Sequence, residues 1–160
     1  MPNSQNESVG DFSSTSSREP VIQKIRYLHT QQLALCDKLE SIADRLPDSI
    51  DPQDMLLVAQ QIFPLVNKAH KFEEETVFRL LQKNLLHAPD IEPTIERLRF
   101  EHWEDESFAQ ELQESMTGYV TGQTPKRPDT LSYMLRGFFE GMRRHIAFET
   151  EHLLPILARC

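Results

Sequence analysis

Four segments of this chain repeat apolar residues at steps of three and four, and a period of that kind is met by one face of an α-helix. The first runs through Ile22, Ile25, His29, Leu33, Cys36, Leu39 and Ile42. The second takes Met55, Ala59, Ile62, Val66, His70, Glu74, Val77, Leu81 and Leu85, the third Ile91, Ile95, Leu98, His102, Ala109, Leu112 and Met116, and the fourth Leu131, Met134, Phe138, Met142, His145, Phe148, Glu149 and His152. Breaker-rich stretches separate them: "LPDSIDP" near 46 to 52, "HAPDIEP" near 87 to 93 and "TGYVTGQTPKRPDT" near 117 to 130. No strand pattern competes. The expected fold is all-α, an antiparallel up-down-up-down four-helix bundle. Pro64 should bend the second helix about a turn before His70. Residues 1–18, rich in Ser and Asn, have little to bury and are expected to be a disordered tail, leaving 19–160 as the bundle domain.

Each of the four apolar seams carries a histidine. Short loops allow their heights to be counted at about 1.5 Å per residue. His29 lies about 17 residues before its helix ends, and His70 about 18 after the next begins; His102 and His145 match across the third loop about as closely. All four are expected at mid-height. Two glutamates join them, because "HKFEEETVF" and "HIAFETEHLLP" both read His-x-x-x-Glu and so place Glu74 and Glu149 one turn beyond His70 and His145. A buried carboxylate without a partner costs several kcal/mol, and no Lys or Arg sits on the inner stripes nearby. Four imidazoles and two carboxylates at one level form a ligand set for two divalent metals, with iron favoured over manganese or zinc because open positions remain for a small ligand. Glu73 and Glu75 are read as solvated face, His87 as a surface residue at a helix end, and Trp103 as packing.

The formal charge of −8 argues against nucleic-acid backbones and anionic membranes as partners, and no apolar run is long enough to span a bilayer. The N-terminus has neither the basic flank nor the apolar core of a leader peptide, so a cytoplasmic location is expected. Two cysteines, Cys36 and Cys160, suggest neither a disulfide framework nor a thiolate metal site.

His29, His70 with Glu74, His102 within "EHWEDE", and His145 with Glu149 together resemble the haemerythrin-like, or HHE cation-binding, domain over nearly all of residues 20 to 158. The resemblance implies a non-haem di-iron centre on those six residues, with Glu74 and Glu149 bridging the irons. The chain departs from oxygen-carrying haemerythrins, which have a second histidine on the third helix; here the positions four away from His102 are Leu98 and Glu106. Glu106 is either a third carboxylate ligand or a solvated charge. Ferritin-like di-iron enzymes require two Glu-x-x-His pairs, of which Glu149 to His152 is the only one here, and His152 is read as core or as an outer partner of the site.

Three functions remain open at this level. The first is a protein that binds or senses oxygen, nitric oxide or peroxide, or the redox or iron state. The second is a di-iron enzyme that reduces peroxide or nitric oxide, or donates iron for iron–sulfur repair. The third is a regulatory adaptor that docks a protein partner and whose metal is structural.

Overall fold

The chain forms four helical rods, described for residues 18–84, 88–123 and 127–160 of a computed structural model. Among the described residues there is no strand. The first rod is α1 (Glu19–Arg45). The second is α2 (Pro52–Phe72), a π-helical turn (Glu73–Val77) and α3 (Phe78–Lys83). The third is α4 (Ile91–Thr121), and the fourth is α5 (Pro128–Phe148), a second π-turn (Glu149–Leu153) and α6 (Leu154–Arg159). The tail expected at 1–18 lies, apart from Arg18, outside the described residues, as do His87 and Leu85.

Local chemistry sets the ends. Asp51 caps α2 by accepting the Gln53 N–H on Oδ1 at 3.0 Å, and Pro52 occupies a first-turn position whose N–H would have no helical partner. Pro128 opens α5 in the same way. The third rod is longer than its sequence bounds. It begins at Ile91, since Pro93 falls in the first turn where a missing N–H costs nothing, and it passes Gly118 to stop at Gly122, whose φ of 70° gives the left-handed cap. Helical structure continues through Pro64.

α1 packs on α2 and α5, and α4 packs on α2 and α5, closing a ring of four rods. Arg143 of α5 fastens α1 through Asp37 and Glu40 at 2.8 and 2.6 Å. The seams close into two apolar clusters. One gathers Leu35 to Ala43, Met55 to Val66, Ala109 to Met116 and Leu131 to Ile146; the other gathers Ile22, Ile25, Val77 to Leu81, Ala88 to Leu98 and Leu153 to Cys160. Every rod crosses from one cluster to the other, and its buried histidine or glutamate falls at the crossing. Leu33 departs from its expected place: it is exposed, and Gln32 is buried in its stead, because the inward stripe of α1 runs through Leu28, Gln32 and Leu35. None of the described helices is long and apolar enough to cross a membrane.

Candidate metal centre

Between the two clusters lies a polar layer of six buried side chains: His29 from α1, His70 from α2, Glu73 from the first π-turn, His102 from α4, His145 from α5 and Glu149 from the second π-turn. All four histidines expected at mid-height are here. So is Glu149. The second acidic member is Glu73, only 1% exposed, and not a solvated residue. Glu74, whose side chain is 38% exposed, turns outward and meets His102 from behind.

The π-turn accounts for this placement. In it the Phe78 N–H reaches back five residues to the Glu73 carbonyl, so the turn holds one residue more than an α-turn. The second π-turn does the same from Leu154 to Glu149. Glu73 and Glu149 are each the first residue of a widened turn, and each heads the two apolar residues, Val77–Phe78 and Leu153–Leu154, that plug the bundle end. Both i+3 and i+4 lie on the same helix face as residue i, so the spacing from His70 alone does not choose between Glu73 and Glu74.

The two buried carboxylates divide their oxygens in the same way. Glu149 sets Oε2 2.9 Å from His29 Nε2, and Oε1 3.3 Å from His145 Nε2 and 3.9 Å from His102 Nε2. Glu73 sets Oε1 3.4 Å from His29 Nε2 and Oε2 2.9 Å from His102 Nε2. On the far side from His29, one donor atom each from Glu73, His102, His145 and Glu149 lies within 4.8 Å of the others, as do donors of His70, His102 and His145.

Protons balance the charge in the protein alone. Burial opposes the cationic form of His29, but Glu149 and Glu73 outweigh it and raise its pKa to about 9; the same opposition at His102 ends at about 10. His145 is also raised against burial, chiefly by Glu149. For His70, burial and the neighbouring His102 and His145 act together and lower it to about 2, so that ring is neutral. Burial works against the Glu149 carboxylate, yet the close imidazoles of His102, His145 and His29 hold it well below the usual carboxylate range.

The donor set fits metal ions. His70 Nε2, Glu73 Oε2, His102 Nε2, His145 Nε2 and Glu149 Oε1 are all buried without an aligned hydrogen-bond partner, although some lie 2.9 to 3.3 Å apart. Buried polar atoms that approach without pairing are costly in an apo protein and suited to shared coordination. Imidazole nitrogens and carboxylate oxygens accept iron, manganese or zinc.

The outer nitrogens have carboxylates of their own. His102 Nδ1 donates to Glu74 Oε1 at 2.8 Å, and His70 Nδ1 donates to Glu106 Oε1 at 3.1 Å. Glu101 Oε2 and Asp105 Oδ2 stand 3.2 and 3.7 Å from His145 Nδ1, without the alignment of a hydrogen bond. Burial pushes the Asp105 carboxyl up to about 6 against the pull of His145 and His102. A cleft of about 300 Å³ between α4 and α5 reaches His145, and another of about 380 Å³ between α2 and α4 reaches His102. His152 is neither core nor an outer partner: its side chain is 62% exposed and lies against Phe148, because the second π-turn carries it to the outer face. Trp103 is exposed beside Phe100 on the outside of α4 and packs into no core.

Among known families, the model described as Hemerythrin HHE cation binding domain matches residues 21–157. Neither curated proteins nor solved structures give a match to the chain.

Proposed function

The chain belongs to the hemerythrin HHE cation-binding family, and on that premise we propose that it holds two iron ions on His29, His70, Glu73, His102, His145 and Glu149 and uses them to bind or sense oxygen, nitric oxide or peroxide. The observation that carries this reading is the division of oxygens by Glu73 and Glu149, each giving one to His29 and the other to the His102 side. A carboxylate placed so is suited to serve two metal positions at once. Glu73 would hold metal in the place that the sequence resemblance assigns to Glu74, because it is the buried carboxylate of the pair.

Bound iron would supply redox change and affinity for small oxygen- and nitrogen-donor ligands. The residues of the chain do the rest. Six side chains from all four rods hold the charge, the two apolar clusters seal the layer above and below, and the cleft beside His145 gives a small ligand a short way in. Manganese or zinc would satisfy the same donors but would not give the same redox readout. The wider proposal is a single bundle domain over 19–160, with the rods running up, down, up and down, as their alternating passage between the two clusters supports, in a cytoplasmic setting and with a regulatory protein partner.

Metal analysis of protein purified without oxygen tests the reading. The expected content is about two ions per chain, mainly iron, with absorption bands that change on adding azide or nitric oxide. A fully loaded sample holding one ion or fewer per chain would overturn the binuclear assignment.

A further inference from the structure

His70 and His102 lie face to face, their ring centroids 3.9 Å apart and their planes 7° from parallel. Each is held from behind by the other's rod. Glu106 of α4 accepts the Nδ1–H of His70 on α2, while Glu74, in the π-turn that follows α2, accepts the Nδ1–H of His102 on α4. Both rings are almost fully buried, whereas the two carboxylates reach the surface, Glu106 being 29% exposed and Glu74 38%. We propose that Glu74 and Glu106 form a reciprocal brace, positioning residues that fix the Nδ1–H tautomer of the stacked pair and thereby keep both Nε2 atoms turned into the metal layer. The proposal rests on the metal-binding reading above and adds residues that do not themselves ligate.

The physical case is one of tautomer and torsion. A neutral imidazole has one N–H and one lone pair, and a carboxylate behind Nδ1 selects the form whose lone pair sits on Nε2. The His70 Nε2 has no hydrogen-bond partner, as that form requires of a ligand atom facing a metal position. Crossing the partners between rods also resists rotation of either ring, because turning His70 breaks a bond to α4 and turning His102 breaks one to the rod of α2. His145 lacks this support, since Glu101 and Asp105 approach its Nδ1 without alignment. The brace is therefore confined to the α2–α4 side. It gives an unforced account of why two glutamates selected by spacing lie near the site but outside the donor cluster.

The test uses the full chain with Co2+ as the probe metal and 15N spectra of the histidine rings. In the metal-free parent, His70 is expected as the Nδ1–H tautomer, and Glu106→Ala should shift it toward Nε2–H while Glu106→Gln, which keeps an acceptor oxygen, retains it. Glu74→Ala and Glu106→Ala should each weaken Co2+ binding by about 10- to 100-fold, with the Gln variants losing less and Glu75→Gln unchanged. Saturation should stay at the parent's stoichiometry. Parent affinity in both Ala variants, or an Nε2–H tautomer of His70 in the parent, would overturn the brace. So would saturation one ion lower, which would make these glutamates ligands. If the parent itself fails to take two ions, the metal reading falls while the ring spectra still decide the brace.

Discussion

The second and fourth rods are built to one plan: a helix of 21 residues opened by proline, a π-turn of five, and a closing helix of six. Superposing them in sequence by their prolines pairs Glu73 with Glu149, Val77 with Leu153 and Phe78 with Leu154. It does not pair the histidines. His145 falls opposite Ala69, and His70 opposite Ile146, so the histidine-to-glutamate step is three residues in one rod and four in the other. What the two rods share is the register of the carboxylate against the apolar plug. Their histidines are tolerant of one position because both lie within the turn before the glutamate, and both remain buried.

The strongest way to break this comparison is to remove the carboxylates. Glu149→Ala leaves three histidines without their shared carboxylate, and loss of one side of a buried pair costs about 3 to 5 kcal/mol in the metal-free protein. Metal content should fall from about two ions to one or none. Glu73→Ala, which faces two histidines, should show the same loss of metal with a smaller drop in thermal midpoint, whereas Glu74→Ala keeps its ions when metal is in excess. The outcome that would undo the shared register is retention of both ions by Glu73→Ala and their loss from Glu74→Ala.

Proton release sharpens the contrast between the histidines. His29 and His102 have folded pKa values near 9 and 10, above the ordinary 6.5, so their protonated pairs stabilise the metal-free fold fully below about pH 6.5. That contribution fades as pH rises through 9 to 10. Metal competes with the same protons. Uptake at pH 7 should therefore release about two protons from this pair, and affinity should climb until the pair has titrated, while His70, already neutral, releases none. Calorimetry in buffers of different ionisation enthalpy measures the count; a pH-independent affinity between 7 and 9 would contradict it. The smallest effect is expected within the second π-turn itself: His152→Ala should leave metal content unchanged and stability within about 0.5 kcal/mol, as thermal unfolding would report.

Much of this architecture is legible from spacing. Apolar steps of three and four found the rods, and counting rise per residue brought the four histidines to one layer, since both depend only on regular helix geometry. The step of four from His145 leads to Glu149, which is buried in that layer. From His70 the same step leads to Glu74, while the buried carboxylate is Glu73, because a widened turn follows it and an ideal helix offers both the third and the fourth residue on the same face. The available signal was downstream, in the match of Val77–Phe78 to Leu153–Leu154. The links from His70 to Glu106 and from His102 to Glu74 depend on how two rods rotate against each other, which no single-helix pattern contains.

The polar layer that separates the apolar clusters has a further consequence for cooperativity. Beyond it, the smaller bundle end gathers α3, α6 and the first turns of α1 and α4 around an apolar cluster separate from the larger one. The buried histidines and glutamates join the side-chain packing of the two ends, while the unbroken helices α1 and α4 carry the backbone across the layer. Bound metal would tie that layer together with coordination bonds and would be expected to make the two ends open more nearly as one unit; with protons alone the layer is a set of ionisable contacts, and the ends are expected to open less cooperatively. The side chains of this layer would thus also bear on how cooperatively the two ends of the bundle melt.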